Sequence, residues 1–206
     1  MIEVSELFIA HQGEGPNLGR LSLFVRLRRC TLHCVWCDSQ YTWKQDDPAF
    51  AEFQSYTAPA LAGRMLLHDS PTWPQAVVLT GGEPLIWQRE LVEVIDCYRA
   101  VRQVPVEVET SGTITPSDQM LARCSFNVSH KLPSAANDDI PLERLWREDV
   151  VRSILCAAPP LLESVCLKPV VDPVMDSSSV QQYLVWLSDT AARVGVDWER
   201  LRQRIY

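Results

Sequence analysis

Five short apolar runs alternate with five helical stretches, and that alternation admits little except a mostly parallel sheet with helical crossovers. Leu21, Leu23, Val25 and Leu27 alternate with Ser22, Phe24, Arg26 and Arg28, the period of two that a strand requires. Residues 76–80, 106–109, 126–129 and 165–170 supply the other strand segments. Residues 60–68, 89–102, 117–123, 141–156 and 179–193 read as helices. Leu91, Val94, Ile95 and Tyr98 carry the helical stripe of the second. Asp69, Ser70 and Pro71 end the first, and Pro141 suits the opening turn of the fourth. The expected fold is α/β, a partial (β/α)6-type barrel of mostly parallel strands, in a single domain over residues 1–206. Chemistry in such folds gathers at the carboxyl ends of strands. The chemically loaded segments 30–37, 81–83, 109–112 and 129–131 all stand there.

Composition narrows the class. The chain has 206 residues, 47% apolar and 22% charged, which is enough for one ordinary core and argues against disorder. No apolar run reaches the ~18 residues of a membrane span. Ile2, Val4 and Leu7 alternate with acidic residues, unlike the basic start of a signal peptide, so a cytoplasmic protein with no membrane partner is expected. The net charge of −7 offers nucleic acid no basic face, although a local pocket for a small anion remains compatible with it. Of seven cysteines, Cys97, Cys124, Cys156 and Cys166 are scattered among apolar residues and read as buried, inert packing.

The other three stand apart. Cys30, Cys34 and Cys37 form C-x3-C-x2-C, a spacing that brings thiolates together on one small iron–sulfur cluster. Three thiolates on four irons leave one iron open to an outside ligand. Arg28 and Arg29 are expected to offset the cluster's negative charge, and Trp36 to shield it from water. The rival is a Cys3His zinc site using His33. His33 directly precedes Cys34, and adjacent side chains rarely share one metal. A second C-x2-C pair, usual in zinc ribbons, is missing. The cluster is the better reading.

That cysteine pattern, opening a chain rich in βα units, resembles the radical S-adenosylmethionine superfamily. Thr80-Gly-Gly-Glu83-Pro resembles the superfamily's GGE motif, although alone it would be a glycine turn with a surface glutamate. Glu109-Thr-Ser-Gly-Thr113 and Ser129-His-Lys131 end the next two strands and would alone be ordinary turns. Further upstream stands Gln12-Gly-Glu14-Gly, then Phe24-Val-Arg26, then Trp36-Cys-Asp-Ser39. With Glu109-Thr-Ser-Gly112 they resemble, in order, the pattern of the 7-carboxy-7-deazaguanine synthase family. The resemblance covers roughly residues 5–170.

The resemblance implies a radical SAM core with a 4Fe-4S cluster on Cys30, Cys34 and Cys37. It implies S-adenosyl-L-methionine held by Trp36, Asp38, Gly82, Glu83, Ser111, Ser129, His130 and Lys131. Mg2+ falls to Ser39, and a pterin substrate to Gln12, Gly13, Glu14, Arg26 and Thr80. Arg26 suits a bidentate grip on the substrate carboxylate, and its strand phase sets it inward with Phe24. The implied reaction converts 6-carboxy-5,6,7,8-tetrahydropterin to 7-carboxy-7-deazaguanine with loss of ammonia. A homodimer and a flavodoxin-like electron donor follow from the same resemblance. A glycyl-radical activase shares the cysteine spacing but has no need of Gln12, Glu14 and Arg26. The chain departs from the family pattern at Arg29, commonly glycine, at Thr31, commonly asparagine, and at His130, commonly proline. It also ends at Tyr206, which reads as short of the family's last strand and tail.

Overall fold

The computed structural model describes residues 1–68, 74–135, 140–157, 165–172 and 174–206. Asp69, Ser70 and Pro71, read above as a helix stop, lie outside the described residues. The strands are β1 (Ile2–His11), β2 (Leu21–Leu27), β3 (Gln54–Tyr56), β4 (Ala76–Gly81), β5 (Val106–Thr110), β6 (Ser125–Val128) and β7 (Val165–Leu167). They form one sheet in the order β3-β1-β2-β4-β5-β6-β7. Pairs β2–β4, β4–β5, β5–β6 and β6–β7 are parallel, while β1 runs antiparallel to both β2 and β3. The sheet is open, as a partial barrel of mostly parallel strands should be.

Central β4 reads Ala-Val-Val-Leu-Thr-Gly and is buried on both faces, the usual state of a parallel strand under helical crossovers. β1 is the element that the alternation of segments left out. Its apolar residues are diluted by Glu3, Ser5 and Glu6; Ile2 and Val4 are buried, Glu6 and His11 exposed, and the rest of the strand half-buried. β3 is only three residues long and mostly exposed, which leaves no periodic signal.

Helices α1 (Ala58–His68), α2 (Gln88–Arg99), α3 (Asp118–Leu121), α4 (Leu142–Leu145), α5 (Glu148–Cys156), α6 (Ser177–Arg193) and α7 (Trp198–Arg202) complete the described fold. None is long and apolar enough to cross a membrane. α2 buries Leu91, Val94, Ile95 and Tyr98, the stripe read from the sequence. The single helix expected over 141–156 is instead two, broken where Trp146 leaves the helical region and Arg147 adopts extended backbone. The break buries the Trp146 indole, whose N–H donates to the Lys131 carbonyl at 3.0 Å. Cys124 and Cys166 are buried as expected, but Cys97 is half-buried and Cys156 exposed. α5 packs through Val150, Val151, Ile154 and Leu155, and that stripe leaves Cys156 on the outer face.

Behind the tip of β6 lies an aromatic cluster of His130, Trp146, Tyr183 and Trp186, with ring centroids 5.5 to 5.8 Å apart. His130 is fully buried; its Nδ1 bonds the Tyr183 hydroxyl at 2.9 Å, and among the described residues its Nε2 has no partner. Tyr183→Phe would leave neither ring nitrogen satisfied. We expect it to cost roughly 1–3 kcal/mol, read by urea denaturation of the metal-free protein; an unchanged midpoint would contradict this view of the cluster.

Candidate active site

The carboxyl ends of β2, β4, β5 and β6, with the turn after β1, enclose a cleft of about 630 Å³. Cys30, Cys34 and Cys37 line one wall, in a loop that leaves the tip of β2. The loop is tied down on both sides. The Val35 amide donates to the Ala135 carbonyl at 3.0 Å, and the Trp36 indole to the Ser134 carbonyl at 3.2 Å. Thr31, one of the departures noted above, shares a 2.5 Å hydroxyl bond with Thr113. Arg29 has a left-handed backbone, φ 71°, a conformation that glycine adopts without the strain a side chain brings.

Gly81 and Gly82 at the tip of β4 approach backbone rather than ligand. A Cβ on Gly81 would lie 2.2 Å from the Leu27 oxygen, and one on Gly82 2.0 Å from the Arg29 oxygen. Across this seam the Gly82 amide donates to Leu27 at 2.9 Å and the Glu83 amide to Arg29 at 2.8 Å. Glu83 is fully buried and its carboxylate points away from the cleft. It accepts from the Ser111 amide (2.9 Å), the Ser111 hydroxyl (2.5 Å), the Thr110 hydroxyl (2.8 Å) and the Leu85 amide (3.1 Å). Burial raises its pKa, and these donors pull it back. Glu83 therefore braces the wall that presents Ser111.

Ser111, Ser129 and Lys131 face the cleft, as do Trp36, Asp38, Ser39 and Gly82. Lys131 Nζ donates to Ser129 Oγ at 2.9 Å. His130 does not reach the cleft. Its ring lies beneath the turn, where a Cβ on Gly112 would stand 2.8 Å from Nε2. Burial, and then the charge of Lys131, push its pKa down to about 3, so the imidazole stays neutral. Arg28 and Arg29, expected to offset cluster charge, are engaged elsewhere instead, Arg28 while buried. Arg29 pairs with Glu3 at 2.6 Å, and the Arg28 guanidinium lies over the rings of Phe50 and Phe53. Lys131 is the cation whose charge acts on Cys34.

The opposite half of the cleft holds Gln12, Gly13, Glu14, Arg26 and Thr80. Gln12 Nε2 donates to Glu107 (2.5 Å) and Glu109 (2.9 Å), and Thr80 Oγ1 to Glu109 (2.7 Å). Glu14 pairs with Lys168, and Asn17 with Glu107. Arg26 faces the cleft with Phe24, and its Nε meets Glu6 at 2.8 Å near the rim. Phe8 stacks on Phe24 at 5.0 Å, forming a flat apolar wall. Phe8, Trp43, Glu109 and Lys168 line the cleft without having been singled out from the sequence as site residues. Lys168 follows β7, which ends at Leu167 and not at residue 170 as read from the sequence, so the strand-tip rule passed over it. Phe8 shares a phase with Ala10 and Gln12. Nothing local marked Trp43.

The donor set suits a cluster. Among the described residues no group of three or more His, Cys, Asp or Glu side chains is arranged to hold a metal ion, so the fit rests on the three thiols lining one cleft and on the N–H donors beside them. The Leu32 amide lies 3.4 Å from Cys30 Sγ and the Trp43 indole nitrogen 3.5 Å from Cys37 Sγ, donors that suit thiolates. For a hard cation, Ser39 Oγ and Asp38 Oδ1 stand 3.1 Å apart.

Three sulfurs on a loop at the mouth of an open parallel sheet define an iron–sulfur cluster domain. The chain belongs to that family, since the 4Fe-4S single cluster domain matches residues 11–139. Its relatives are narrower in kind. The 7-carboxy-7-deazaguanine synthase of Pyrobaculum aerophilum is 42% identical over 137 residues, 65% of this chain and 57% of that protein. That of Koribacter versatilis is 37% identical over 116 residues, 54% and 44% of the two chains. That of Clostridium acetobutylicum is 28% identical over 159 residues, 74% and 68% of them. The chain spans about half the length of the relatives it matches. QueE from Escherichia coli shares the fold, with a TM-score of 0.61 at 22% identity over 89% of this chain and 76% of that one. The resemblance read from the motifs thus holds for the matched sequence.

Two predictions follow from the buried groups. Glu83→Gln places an amide NH2 among hydroxyl and amide donors; we expect a loss of roughly 1–3 kcal/mol in urea, and wild-type stability would refute the bracing role. Burial pushes the Cys30, Cys124 and Cys166 thiols up to about 12. Unfolded thiols titrate near ~8.5, so the folded state gains from these groups while they are protonated. Stability of the metal-free protein should therefore fall as pH rises from about 8.5 toward 12. A flat urea midpoint between pH 8 and 11 would contradict it.

Proposed function

We propose that this chain is a radical S-adenosylmethionine carbon–nitrogen lyase. It converts 6-carboxy-5,6,7,8-tetrahydropterin to 7-carboxy-7-deazaguanine with loss of ammonia, in 7-deazaguanine and queuosine biosynthesis. The observation that carries this reading is convergence. The three cysteines on one side and Gln12, Glu14 and Arg26 on the other meet in a single cleft. Relatives bearing the synthase name supply the reaction class.

Cys30, Cys34 and Cys37 would hold the cluster and leave its fourth iron open. When bound, cluster and S-adenosylmethionine together supply a 5′-deoxyadenosyl radical able to abstract hydrogen from the substrate. The chain's own residues bind and orient. Ser111, Ser129 and Lys131 offer two hydroxyls and a cation to ribose oxygens and a carboxylate, and the Gly82 backbone lines the cleft where the methionine end would lie. Glu83 and His130 support those groups from behind. Ser39, beside Asp38, takes Mg2+ with substrate oxygens and water.

On the substrate side, Arg26 meets a carboxylate. Its present partner Glu6 is half-exposed, and such pairs are worth so little that an incoming anion displaces them readily. Glu109 and the Gln12–Glu14 turn present acceptors and donors to the amino-pyrimidine edge. The stacked Phe8 and Phe24 offer a flat face to a bicyclic ring. A homodimer, a flavodoxin-like electron donor and a cytoplasmic location belong to the same proposal and rest on the resemblance.

The test is anaerobic reconstitution with iron and sulfide, then incubation with reductant, S-adenosylmethionine and the carboxypterin. We expect 5′-deoxyadenosine and the deazapurine to form together, and Cys34→Ala to abolish both. 5′-Deoxyadenosine without deazapurine would point to an activase-type substrate. Zinc in place of iron and sulfide would overturn the enzyme reading.

A further inference from the structure

Each sulfur of the cysteine loop has a different electrostatic neighbour. Cys30 Sγ faces the Leu32 amide at 3.4 Å, and Cys34 feels the charge of Lys131. Cys37 Sγ lies 3.5 Å from the indole nitrogen of Trp43. We infer that the Trp43 N–H is a built-in donor to the Cys37 sulfur and raises the reduction potential of the cluster which that sulfur would hold. The inference rests on the cluster reading above and adds a residue which that reading does not use.

An indole N–H can only donate, so the direction of this bond does not depend on a tautomer or a protonation state. The other group near Cys37 is the Ser39 hydroxyl at 3.7 Å, and it has a closer acceptor in Asp38 Oδ1 at 3.1 Å. Trp43 is also held in place. Its ring stacks on His33, a member of the cysteine loop, with centroids 4.6 Å apart and planes 15° from parallel. Its amide donates to the Gln40 carbonyl at 3.0 Å. Next to it, Thr42 is fully buried, bonds Ser39 through its hydroxyl at 2.8 Å, and accepts the Arg29 amide at 2.9 Å, one residue before Cys30. The indole is therefore locked to both ends of the loop whose sulfur it faces. A donor to a ligand sulfur stabilises the more negative, reduced state of a cluster, and so moves its potential upward. Trp43 is a positioning and tuning residue; it acts through Cys37.

The experiment uses the full chain reconstituted with iron and sulfide, and its readouts are spectroscopic. In protein carrying 15N-indole tryptophan, pulsed EPR of the reduced cluster should show a 15N coupling that vanishes in Trp43→Phe. Phenylalanine retains a six-membered ring against His33 and removes the donor together with the indole's five-membered ring. At equal iron and sulfide content, Trp43→Phe should shift the midpoint potential to a more negative value in a redox titration. An unshifted potential at full loading, a missing coupling in the unmutated protein, or a coupling that survives Trp43→Phe would each overturn the inference. If Trp43→Phe loads poorly, the coupling is read in Trp36→Phe, where only the neighbouring indole is gone: its presence supports the assignment and its absence refutes it. Failure of the unmutated protein to take up iron and sulfide overturns the cluster reading and this inference with it, an outcome distinct from an unshifted potential.

Discussion

The Arg29 carbonyl accepts the Glu83 amide at 2.8 Å, and the Leu27 carbonyl accepts Gly82 at 2.9 Å. These two bonds extend the parallel pairing of β2 and β4 past the strands themselves, and they set where Cys30 stands. Neither could form with a side chain in the way, since a Cβ on Gly81 or Gly82 would lie within 2.2 Å of backbone oxygen. Arg29 must turn left-handed to offer its carbonyl, at a cost of roughly 1–2 kcal/mol for a residue with a side chain. Its guanidinium finds Glu3 at 2.6 Å and the face of Trp87 at 5.1 Å, contacts that partly offset the strain. Glu83 then carries the constraint onward. Its amide belongs to the seam with β2, and its carboxylate collects Thr110 and Ser111 at the tip of β5. One residue thereby fixes three strand tips relative to one another.

The facing half of the cleft depends on the turn after β1, whose partners are remote in sequence. Gln12 and Asn17 reach Glu107, Glu14 reaches Lys168, and Gly15 packs against Asn127 and Cys166. The turn therefore crosses the inner faces of β5, β6 and β7 instead of projecting into solvent. Burial raises the pKa of Glu107, whose charge is tolerated only because Asn17 and Gln12 donate to it. The polar face of the barrel is thus a network in which each member orients the next, and it places Gln12, Thr80 and Glu109 side by side.

Much of this was legible because periodicity and position are local properties. The period-two run 21–27 put Arg26 inward with Phe24, and the stripe at Leu91, Val94, Ile95 and Tyr98 marked the buried face of α2. Placing chemistry at strand tips located the cysteines, Ser111, Ser129 and Lys131. Direction was harder to read. Glu83 and His130 stand at the right tips but point into the protein, because Ser111, Thr110 and Leu85 supply donors for one and Tyr183 a hydroxyl for the other. Arg28 and Arg29 adjoin the cysteines along the chain, yet the left-handed turn at Arg29 aims both toward Glu3. Apart from the Leu85 amide, the contacts that overrule adjacency come from residues 25 or more positions away, and no local pattern encodes them.

Charge in the cleft follows from the same geometry. With Arg28 and Arg29 engaged by Phe50, Phe53 and Glu3, Lys131 is the cation whose charge acts on Cys34, and burial raises the Cys30 and Cys34 thiols. A thiol held near 12 does not ionise spontaneously at neutral pH. Thiolates are nonetheless what iron requires, so uptake of a cluster must displace protons from the loop, and its affinity must rise with pH until those protons are no longer held. The N–H donors of Leu32 and Trp43 are already aimed at two of the sulfurs, and they stabilise negative charge once metal has created it. The loop is therefore organised for sulfur in the thiolate state, even though burial keeps Cys30 and Cys34 protonated until a cation arrives.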